Sequence, residues 1–410
     1  MTAGDGYDVA IVGGGAVGAS VLKHLCEGFR GRFVLLEKET GLARHTSGRN
    51  SGVVHSGYNQ KPGTLKARFA AEGNRRMRAY CAARGVALAP VGTLVVALDD
   101  AERRTLDVLL ARGRANGVEG LRLLDAVELR HREPHAAGVA ALHSPQGASV
   151  DAVGYVHALA EDARRAGGTI RTGAPVVALS EDRGGHVVSL PREAVRARVV
   201  VNCAGLHADA LARELGASRE HAIVPFRGEY WELRPPRRFL CRSMLYHVPD
   251  LDFPFLGVHF TRRFDGRVIV GPNAVLAFGR ESYRMRSIRP LQAVRTLANP
   301  GFLRLFLDSR FRAVARAELR KSLSKRAFLA EARRLVASLR EDDCVRAFAG
   351  IRAQLVHRSG RLEDDLLIEE RGLSIHVLNA VSPGLTTSLP FGEHVAARAA
   401  ELAGLPARAA

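Results

Sequence analysis

Residues 8–18 read DVAIVGGGAVG, and this stretch decides the fold. The apolar run at residues 9–12 predicts a short buried strand, and the glycine-rich turn after it leads into apolar residues at helical spacing as far as Leu25. A second apolar run, residues 33–36, ends at Glu37. This order predicts a βαβ unit of the kind that binds dinucleotides: a strand, a glycine turn, a helix, a second strand and an acidic residue.

Each position of the glycine pattern has a physical task in such a unit. Gly13 permits the tight turn, Gly15 lets the backbone approach a pyrophosphate, and Gly18 lets the helix pack closely on the strand. The first helical residues, Ala16 and Val17, offer N–H groups and the positive end of the helix dipole to the pyrophosphate. The sequence therefore predicts a phosphate-binding turn at this point.

The acidic residue at the end of the second strand limits the choice of dinucleotide. A carboxylate at Glu37 accepts hydrogen bonds from a ribose and repels a 2′-phosphate, so NADP is disfavoured. The glycine pattern and Glu37 do not by themselves distinguish FAD from NAD.

The bulk composition excludes several classes of protein. The 410 residues are enough for two domains, and no run of 18 apolar residues predicts a membrane span. Five cysteines lie far apart without a C-x-x-C pair, which argues against a disulfide framework or zinc site and indicates the reducing cytoplasm. We find no metal-ligand spacing and no G-x-S-x-G nucleophile turn, so we predict no metal.

The charge is strongly basic and unevenly distributed. The formal net charge is +18, and residues 280–340 contain sixteen Lys and Arg but only four acidic residues. There the basic residues alternate with Leu, Phe and Val, a composition typical of interfacial amphipathic helices. The segment predicts an anionic membrane partner, with a solvated basic face as the alternative. Nucleic acid is disfavoured, because the aromatic residues interleaved with the basic ones are only Phe and no nucleic-acid-binding module is recognisable.

Longer strings are similar to a known family. Residues 46–57 (TSGRNSGVVHSG) and 61–68 (KPGTLKAR) resemble the L-2-hydroxyglutarate oxidase/dehydrogenase family, which belongs to the D-amino-acid-oxidase-like flavoproteins. The similarity continues nearly end to end, in strings at residues 224–230, 253–263, 271–274, 322–326 and 350–356. The resemblance implies an α/β fold: a Rossmann-like FAD-binding domain with an inserted α+β substrate domain built on an antiparallel or mixed sheet.

The predicted domains alternate along the chain, because the dinucleotide unit is assembled from the beginning, middle and end of the sequence. We assign the FAD-binding domain to residues 1–88, 146–222 and 344–410. The substrate domain takes residues 89–145 and 223–343, and its second part contains the basic helical segment.

The resemblance implies FAD, held by distant parts of the chain. The loop at 46–51 offers hydroxyls, amides and a guanidinium to the pyrophosphate and flavin, and the turn at 202–205 resembles a second cofactor contact. The backbone of Val176 is expected near the adenine. The amides of residues 382–388 are expected at the pyrimidine edge of the flavin. The predicted FAD-binding residues are Gly13, Gly15, Ala16, Val17, Gly18, Glu37, Lys38, Thr46, Ser47, Arg49, Asn50, Ser51, Val176, Ala204, Gly205, Gly384, Leu385 and Thr386.

The reaction implied by the resemblance is oxidation of a small 2-hydroxy acid, L-2-hydroxyglutarate, to its 2-oxo acid. FAD accepts hydride from the α-carbon, and Arg352 is the predicted clamp for the carboxylate. Histidine titrates nearest to working pH, and we favour His259 narrowly over His55 as the base. Lys61 and Tyr246 are weaker candidates for contacts to a distal carboxylate and to the hydroxyl.

Several alternatives stay open at this point. The electron acceptor is a quinone or O2, and a quinone would suit peripheral attachment to the inner face of the cell membrane. An amine, imino-acid or other secondary-metabolite oxidase would use the same scaffold. The sequence departs from the family at Gly384–Leu385, at His247 and at Tyr58–Gln60, and we expect the last two departures to lie near the substrate.

Overall fold

A computed structural model describes residues 6–251 and 257–408, so residues 253–256 of the family-like string at 253–263 lie outside the described residues. The described part contains twenty strands and eleven α-helices. The strands are β1 (Tyr7–Val12), β2 (Phe33–Leu36), β3 (Val53–Val54), β4 (Leu88–Ala89), β5 (Thr93–Ala97), β6 (Arg122–Asp125), β7 (Ala140–Ser144), β8 (Ala148–Val150), β9 (Thr169–Arg171), β10 (Ala178–Asp182), β11 (Gly185–Ser189), β12 (Ala194–Asn202), β13 (His221–Leu233), β14 (Met244–His247), β15 (His259–Arg262), β16 (Val268–Gly271), β17 (Val275–Leu276), β18 (Cys344–His357), β19 (Leu367–Arg371) and β20 (Ser374–Asn379).

The helices include the predicted first helix and, within the basic segment, four consecutive helices. They are α1 (Ala16–Gly28), α2 (Leu65–Arg84), α3 (Asp100–Ala115), α4 (Ala126–Arg132), α5 (Ala152–Arg165), α6 (Ala208–Glu214), α7 (Pro290–Leu297), α8 (Pro300–Leu307), α9 (Ser309–Leu323), α10 (Lys325–Leu335) and α11 (Gly384–Ala403). None of the helices in the described ranges is long and apolar enough to cross a bilayer.

The smaller of the two large sheets is built on β1. Five parallel strands lie in the order β9-β2-β1-β12-β20, and β10, β11 and β19 add antiparallel strands at the edges. Val9–Val12 is apolar throughout because helices α1, α5 and α11 cover one face of β1, while α6 and the β10-β11 hairpin pack on the other. The chain leaves β1 toward β2 and returns as β12 on its other side, which places a switch point at the carboxyl end of β1.

The larger sheet has nine strands and is mixed. Its order is β17-β13-β16-β15-β14-β5-β7-β6, with β18 paired to β13, and every pair is antiparallel except β5 with β14. A small sheet, β3-β8-β4, completes the described β-structure. The predicted fold class, an α/β cofactor domain beside a mixed-sheet substrate domain, is confirmed.

One strand bears on where the domains divide. Cys344–His357 pairs with β13 along most of its length, although we assigned residues 344–410 to the cofactor domain. A division drawn by sheet membership therefore falls after His357 rather than before Cys344. The domain limits themselves remain a prediction.

Helix α11 contains a proline, Pro390, in its second turn. Proline has no N–H, so the Thr386 carbonyl lacks its usual partner four residues later. Helix α2 approaches this carbonyl through Gly73, where an added Cβ would stand 2.2 Å from the Thr386 oxygen. The glycine therefore allows the two helices to meet.

We predict that Gly73→Ala lowers the free energy of unfolding by about 1–3 kcal/mol, the usual cost of overpacking, because the obstructing atom is backbone and cannot rotate away. Chemical denaturation of the holoprotein measures the effect. Gly28→Ala is the matched control, since a Cβ at this helical position has no atom within 4 Å. Equal stability of the two variants would contradict the packing argument.

Candidate active site

A cavity of about 680 Å³ lies where the two large sheets meet. The smaller sheet contributes the carboxyl ends of β1, β2 and β12, and the larger sheet contributes residues of β13, β14 and β18. Residues from the beginning, middle and end of the chain therefore face one space. This is the position in which ligands bind to open parallel sheets.

The glycine turn at the end of β1 forms one end of this cavity. Gly13 has a φ of +110°, and an added Cβ would stand 2.4 Å from the Cys203 carbonyl oxygen. Gly15 caps α1 without a side-chain hydrogen bond, while the Ala16 N–H donates to Ser47 Oγ at 3.0 Å. The backbone of this turn is thus open to a ligand, as a pyrophosphate requires.

Glu37 connects the turn to the second strand. Its Oε2 accepts the Gly14 N–H at 2.7 Å, and its Oε1 accepts the Glu39 N–H at 2.8 Å. A carboxylate has about four acceptor positions, so two remain for the hydroxyls of a ribose. The carboxylate lines the cavity and is oriented by these backbone bonds, which fits the predicted role.

Most of the predicted FAD-binding residues line the cavity. They are Gly13, Gly15, Ala16, Val17, Glu37, Lys38, Thr46, Ser47, Arg49, Asn50, Ser51, Val176, Ala204, Gly205, Gly384 and Leu385.

Two of the predicted FAD-binding residues, Gly18 and Thr386, do not line the cavity. Gly18 lies against the turn, where a Cβ would stand 2.0 Å from the Gly13 oxygen, so its task is packing alone. Thr386 Oγ1 accepts the backbone N–H of His55 at 3.0 Å and therefore points toward β3. Direct cofactor contacts by Gly18 and by the Thr386 side chain are not supported by the geometry.

The predicted catalytic residues His55, His259 and Arg352 and the predicted substrate-binding residue Tyr246 all line the same cavity. His259 hydrogen-bonds through Nδ1 to the Gly257 carbonyl at 2.9 Å, and its ring stacks on Tyr246 with centroids 4.2 Å apart. Because a carbonyl only accepts, Nδ1 carries the proton and Nε2 keeps its lone pair.

His55 and His259 are both held neutral. Burial lowers the pKa of His259 to about 4. Burial, followed by the electrostatic influence of His259, Lys66 and Arg352, lowers the pKa of His55 to about 4 as well. A neutral imidazole is the form that accepts a proton, so both rings are ready to act as a base near neutral pH.

Arg352 and Tyr246 present polar groups from the larger sheet. Arg352 stands on β18 opposite Phe226, and its guanidinium remains charged although burial lowers its pKa. The Tyr246 hydroxyl is buried without a hydrogen-bond partner among the described residues, and burial raises its pKa well above the usual value. A polar ligand in the cavity would satisfy that hydroxyl.

The structure separates Lys61 from this group. Its side chain is exposed in the loop before α2 and does not line the cavity, so a contact to a distal carboxylate is not supported. Five residues later, Lys66 is buried and bonded to Asp364 Oδ1 at 2.9 Å. Asp365 accepts the N–H groups of Leu65 and Lys66 and so positions the first turn of the helix.

The expectation that His247 and Tyr58–Gln60 lie near the substrate is not supported by the geometry, since none of them lines the cavity. Side chains alternate along β14, so Tyr246 faces the cavity and His247 faces away, toward Gly257. Tyr58 is covered by α3, where Gly113 allows an approach that would bring a Cβ within 3.2 Å of the tyrosine. These departures therefore bear little on the substrate.

A contact between distant parts of the chain was not predicted from the sequence. Glu281 Oε1 lies 2.6 Å from Lys38 Nζ and 3.0 Å from His207 Nε2. The hydrogen bond with His207 and the Lys38 ammonium hold the pKa of Glu281 at about 2. Two residues on, the Tyr283 hydroxyl lies 2.6 Å from His45 Nδ1. No short motif reveals these pairs, because 74 residues separate His207 from Glu281 and about 240 separate the partners of the other two pairs.

Glu39, His45 and Glu281 are close enough together to resemble a metal site. The Lys38 ammonium lies among them, 2.6 Å from each carboxylate and 2.9 Å from His45 Nε2. A cation is therefore already present at the centre of the cluster. All five cysteines fall within the described ranges and are free thiols.

The fold and the cavity define a dinucleotide-binding oxidoreductase, and comparison with known proteins identifies its family. Residues 8–398 match the family described as FAD dependent oxidoreductase (DAO). An L-2-hydroxyglutarate dehydrogenase of Indibacter alkaliphilus is 39% identical over 94% of this chain and 97% of that protein. The human mitochondrial L-2-hydroxyglutarate dehydrogenase is 35% identical over 95% of this chain and 88% of that protein.

Solved structures share the fold. An L-α-glycerophosphate oxidase from Mycoplasma pneumoniae with FAD bound superposes with a TM-score of 0.78 at 24% identity, covering 99% of this chain and 97% of that one. A glycine oxidase from Geobacillus kaustophilus gives a TM-score of 0.72 at 20% identity, with 96% and 94% covered. At these identities the likeness concerns the fold alone.

The chain belongs to the DAO family of FAD-dependent oxidoreductases. FAD is its cofactor, and the open glycine turn, the oriented Glu37 carboxylate and the cavity between the sheets fit that group. The sequence-based predictions of family, fold class, cofactor and oxidoreductase activity are confirmed. The roles of individual site residues remain predictions.

We predict that Glu37→Gln raises the dissociation constant for FAD by about 10- to 100-fold, because a buried amide replaces a charged acceptor of two backbone bonds. Titration of the apoprotein with FAD, followed by flavin fluorescence, measures the constant. Glu27→Gln is the control, since Glu27 forms an exposed pair with Lys23 on α1. Unchanged FAD affinity in Glu37→Gln would remove Glu37 from the cofactor site.

Proposed function

We propose that this protein oxidises L-2-hydroxyglutarate to 2-oxoglutarate. The observation that carries the proposal is the 35–39% identity, over nearly the whole chain, to proteins named L-2-hydroxyglutarate dehydrogenase from bacteria to human. The composition of the cavity supports the same chemistry, since it combines a cation, two neutral histidines and a tyrosine hydroxyl.

The substrate carries two carboxylates, and the cavity wall offers positive charge for them. Arg352 would hold the carboxylate next to the reacting carbon, because a guanidinium forms two parallel hydrogen bonds with a carboxylate. Lys66 lies close enough to influence His55 and Arg352 electrostatically, so it adds to the positive potential of this region. Binding in this way would orient the hydroxyl and the α-carbon.

Removal of the hydroxyl proton needs a base, and the tautomer of His259 favours that residue. With Nδ1–H committed to the Gly257 carbonyl, Nε2 is free to accept the proton. The stacked ring of Tyr246 limits rotation of the imidazole and brings a hydroxyl donor next to it. His55, the second neutral imidazole, would hydrogen-bond the substrate. FAD, when bound, supplies the acceptor for the hydride from the α-carbon.

An amine or imino-acid oxidase is not favoured, although it would use the same clamp and cofactor. We predict that L-2-hydroxyglutarate bleaches the flavin of the holoprotein faster than L-glutamate, D-2-hydroxyglutarate or L-lactate. Of these four compounds, only L-2-hydroxyglutarate combines two carboxylates with a hydroxyl in the L configuration. Anaerobic stopped-flow absorbance measures the rates. Faster reduction by L-glutamate would reassign the protein to the amine oxidases.

We predict that kcat/KM for L-2-hydroxyglutarate stays level as the pH falls from 8 to about 5 and drops only as it passes through about 4. Near pH 4, His55 and His259 become protonated and can no longer accept a proton, whereas an exposed histidine would lose this ability near pH 6.5. His259→Asn should lower kcat by about 10²- to 10⁴-fold, the usual contribution of a general base.

The control for that variant is His143→Asn, which removes an equally buried histidine of β7 outside the cavity. Burial lowers the pKa of His143 to about 4 as well, so the control removes a second buried, neutral imidazole. A larger loss of kcat in His55→Asn than in His259→Asn would transfer the role of base to His55.

We also propose that the helices of the basic segment attach the protein to an anionic membrane, where a quinone would take the electrons, with O2 as the alternative acceptor. Ten of the seventeen exposed large apolar side chains among the described residues lie between Phe278 and Leu323. Arginines alternate with them along α7, α8 and α9. Exposed apolar residues flanked by cations are typical of interfacial helices.

We predict that the holoprotein pellets with vesicles containing phosphatidylglycerol at low salt and is released at high salt, because salt screens the attraction. Leu291→Asp combined with Leu307→Asp should weaken binding at least about tenfold, since both side chains are more than 70% exposed. Val127→Asp is the control at a similarly exposed site on α4. Absence of wild-type pelleting at low salt would refute the membrane role.

A further inference from the structure

A second cavity of about 680 Å³ adjoins the active site and has a different character. It shares only His207 and Ala210 with the first cavity. Six arginines line it, against two carboxylates. The arginines are Arg213, Arg219, Arg280, Arg295, Arg304 and Arg358, and the carboxylates are Asp209 and Glu220.

Two of these arginines share one buried carboxylate. Asp209 is fully buried and accepts from Arg280, with Nη2 at 3.0 Å from Oδ2, and from Arg213 at 3.2 Å. At the rim, Glu220 pairs with Arg358 at 3.1 Å and with His357 at 3.0 Å. These pairs build a fixed wall and account for both carboxylates of the cavity.

The three remaining arginines have no carboxylate partner among the described residues. Arg219 donates to the Gly216 carbonyl, and Arg304 donates to the Arg358 carbonyl, so backbone oxygens hold both side chains at the cavity. Arg295 projects from α7. The first turn of α8, Pro300 and Gly301, also lines the cavity and adds the positive end of its dipole. The cavity therefore has an excess of cationic donors and fits an anion.

The surroundings of the cavity indicate what carries that anion. Arg295 lies four residues after Leu291, and Leu307 lies three residues after Arg304, so each arginine shares a helix face with an exposed leucine. These leucines are 77% and 74% exposed. A ligand with an anionic head and an apolar body would place its head among the arginines and its body along the leucines.

We propose that this second cavity binds the phosphodiester headgroup of an anionic phospholipid. The inference rests on the proposed membrane attachment and makes it specific. General electrostatic attraction to an anionic membrane needs only surface charge, whereas binding of a headgroup in this cavity needs the arginines that line it. Arginine suits the task, since its planar fork binds phosphate oxygens through two donors.

The test uses the holoprotein and a short-chain phosphatidylglycerol kept below its micellar concentration, with binding measured by calorimetry. Arg295→Ala combined with Arg304→Ala should weaken this binding at least about tenfold. Arg316→Ala combined with Arg320→Ala is the matched control, since it removes the same charge from α9 outside the cavity and should leave binding nearly unchanged. Equal losses in both pairs, or no binding to the wild type, would overturn the proposal.

Two further arms separate the possible sources and the related proposals. Inorganic phosphate that binds as tightly as the lipid would assign the cavity to a free anion and overturn the lipid headgroup. Failure of the wild type to pellet with anionic vesicles, while soluble lipid still binds, would refute the membrane role and leave the cavity site standing. Flavin bleaching by L-2-hydroxyglutarate should be the same in both arginine pairs, because neither lies in the first cavity.

Discussion

The approach of Gly13 to the Cys203 carbonyl brings the ends of two parallel strands together, and the cofactor site depends on it. Only a residue without a Cβ fits there, with φ in the left-handed region. Because the turn is that tight, α1 begins directly beneath it and directs its N-terminus into the cavity. Glu37 holds the same turn from the neighbouring strand through the Gly14 N–H. A bulkier turn would move the helix N-terminus away from the position that a pyrophosphate needs.

The βαβ unit was predictable because its determinants are local. Strand, turn, helix and acidic residue follow one another within residues 8–37, so periodicity and spacing suffice. Local reasoning does not reach α11, whose Pro390 lies inside the helix. Gly73 of α2 packs against the Thr386 carbonyl, which the proline leaves without its usual helical donor. A tertiary contact of that kind leaves no signal in the local sequence.

Residue selection within the site shows a second limit. Sequence similarity pointed to the string at residues 61–68, which contains both Lys61 and Lys66, but only Lys66 lies on α2 and is buried. Asp365, about 300 residues away, accepts the first N–H groups of α2 and so positions the turn that carries Lys66. His247 was expected near the substrate as a departure from the family pattern beside Tyr246, yet neighbouring residues on a strand face opposite sides. Among the fifteen histidines, the family-like strings pointed to His55 and His259, and both line the cavity together with His45 and His207.

The ion pairs of Glu281 with Lys38 and His207, and the Tyr283 bond to His45, join a loop of the larger sheet to the dinucleotide side of the smaller one. Lys38, His45, His207 and Glu281 also line the cavity, so these contacts would oppose its opening on this side with FAD bound. They would then form a polar latch that slows loss of FAD in addition to its direct contacts. Such a latch weakens with ionic strength. An enzyme of this construction would retain its flavin through many catalytic cycles and release it most readily in concentrated salt.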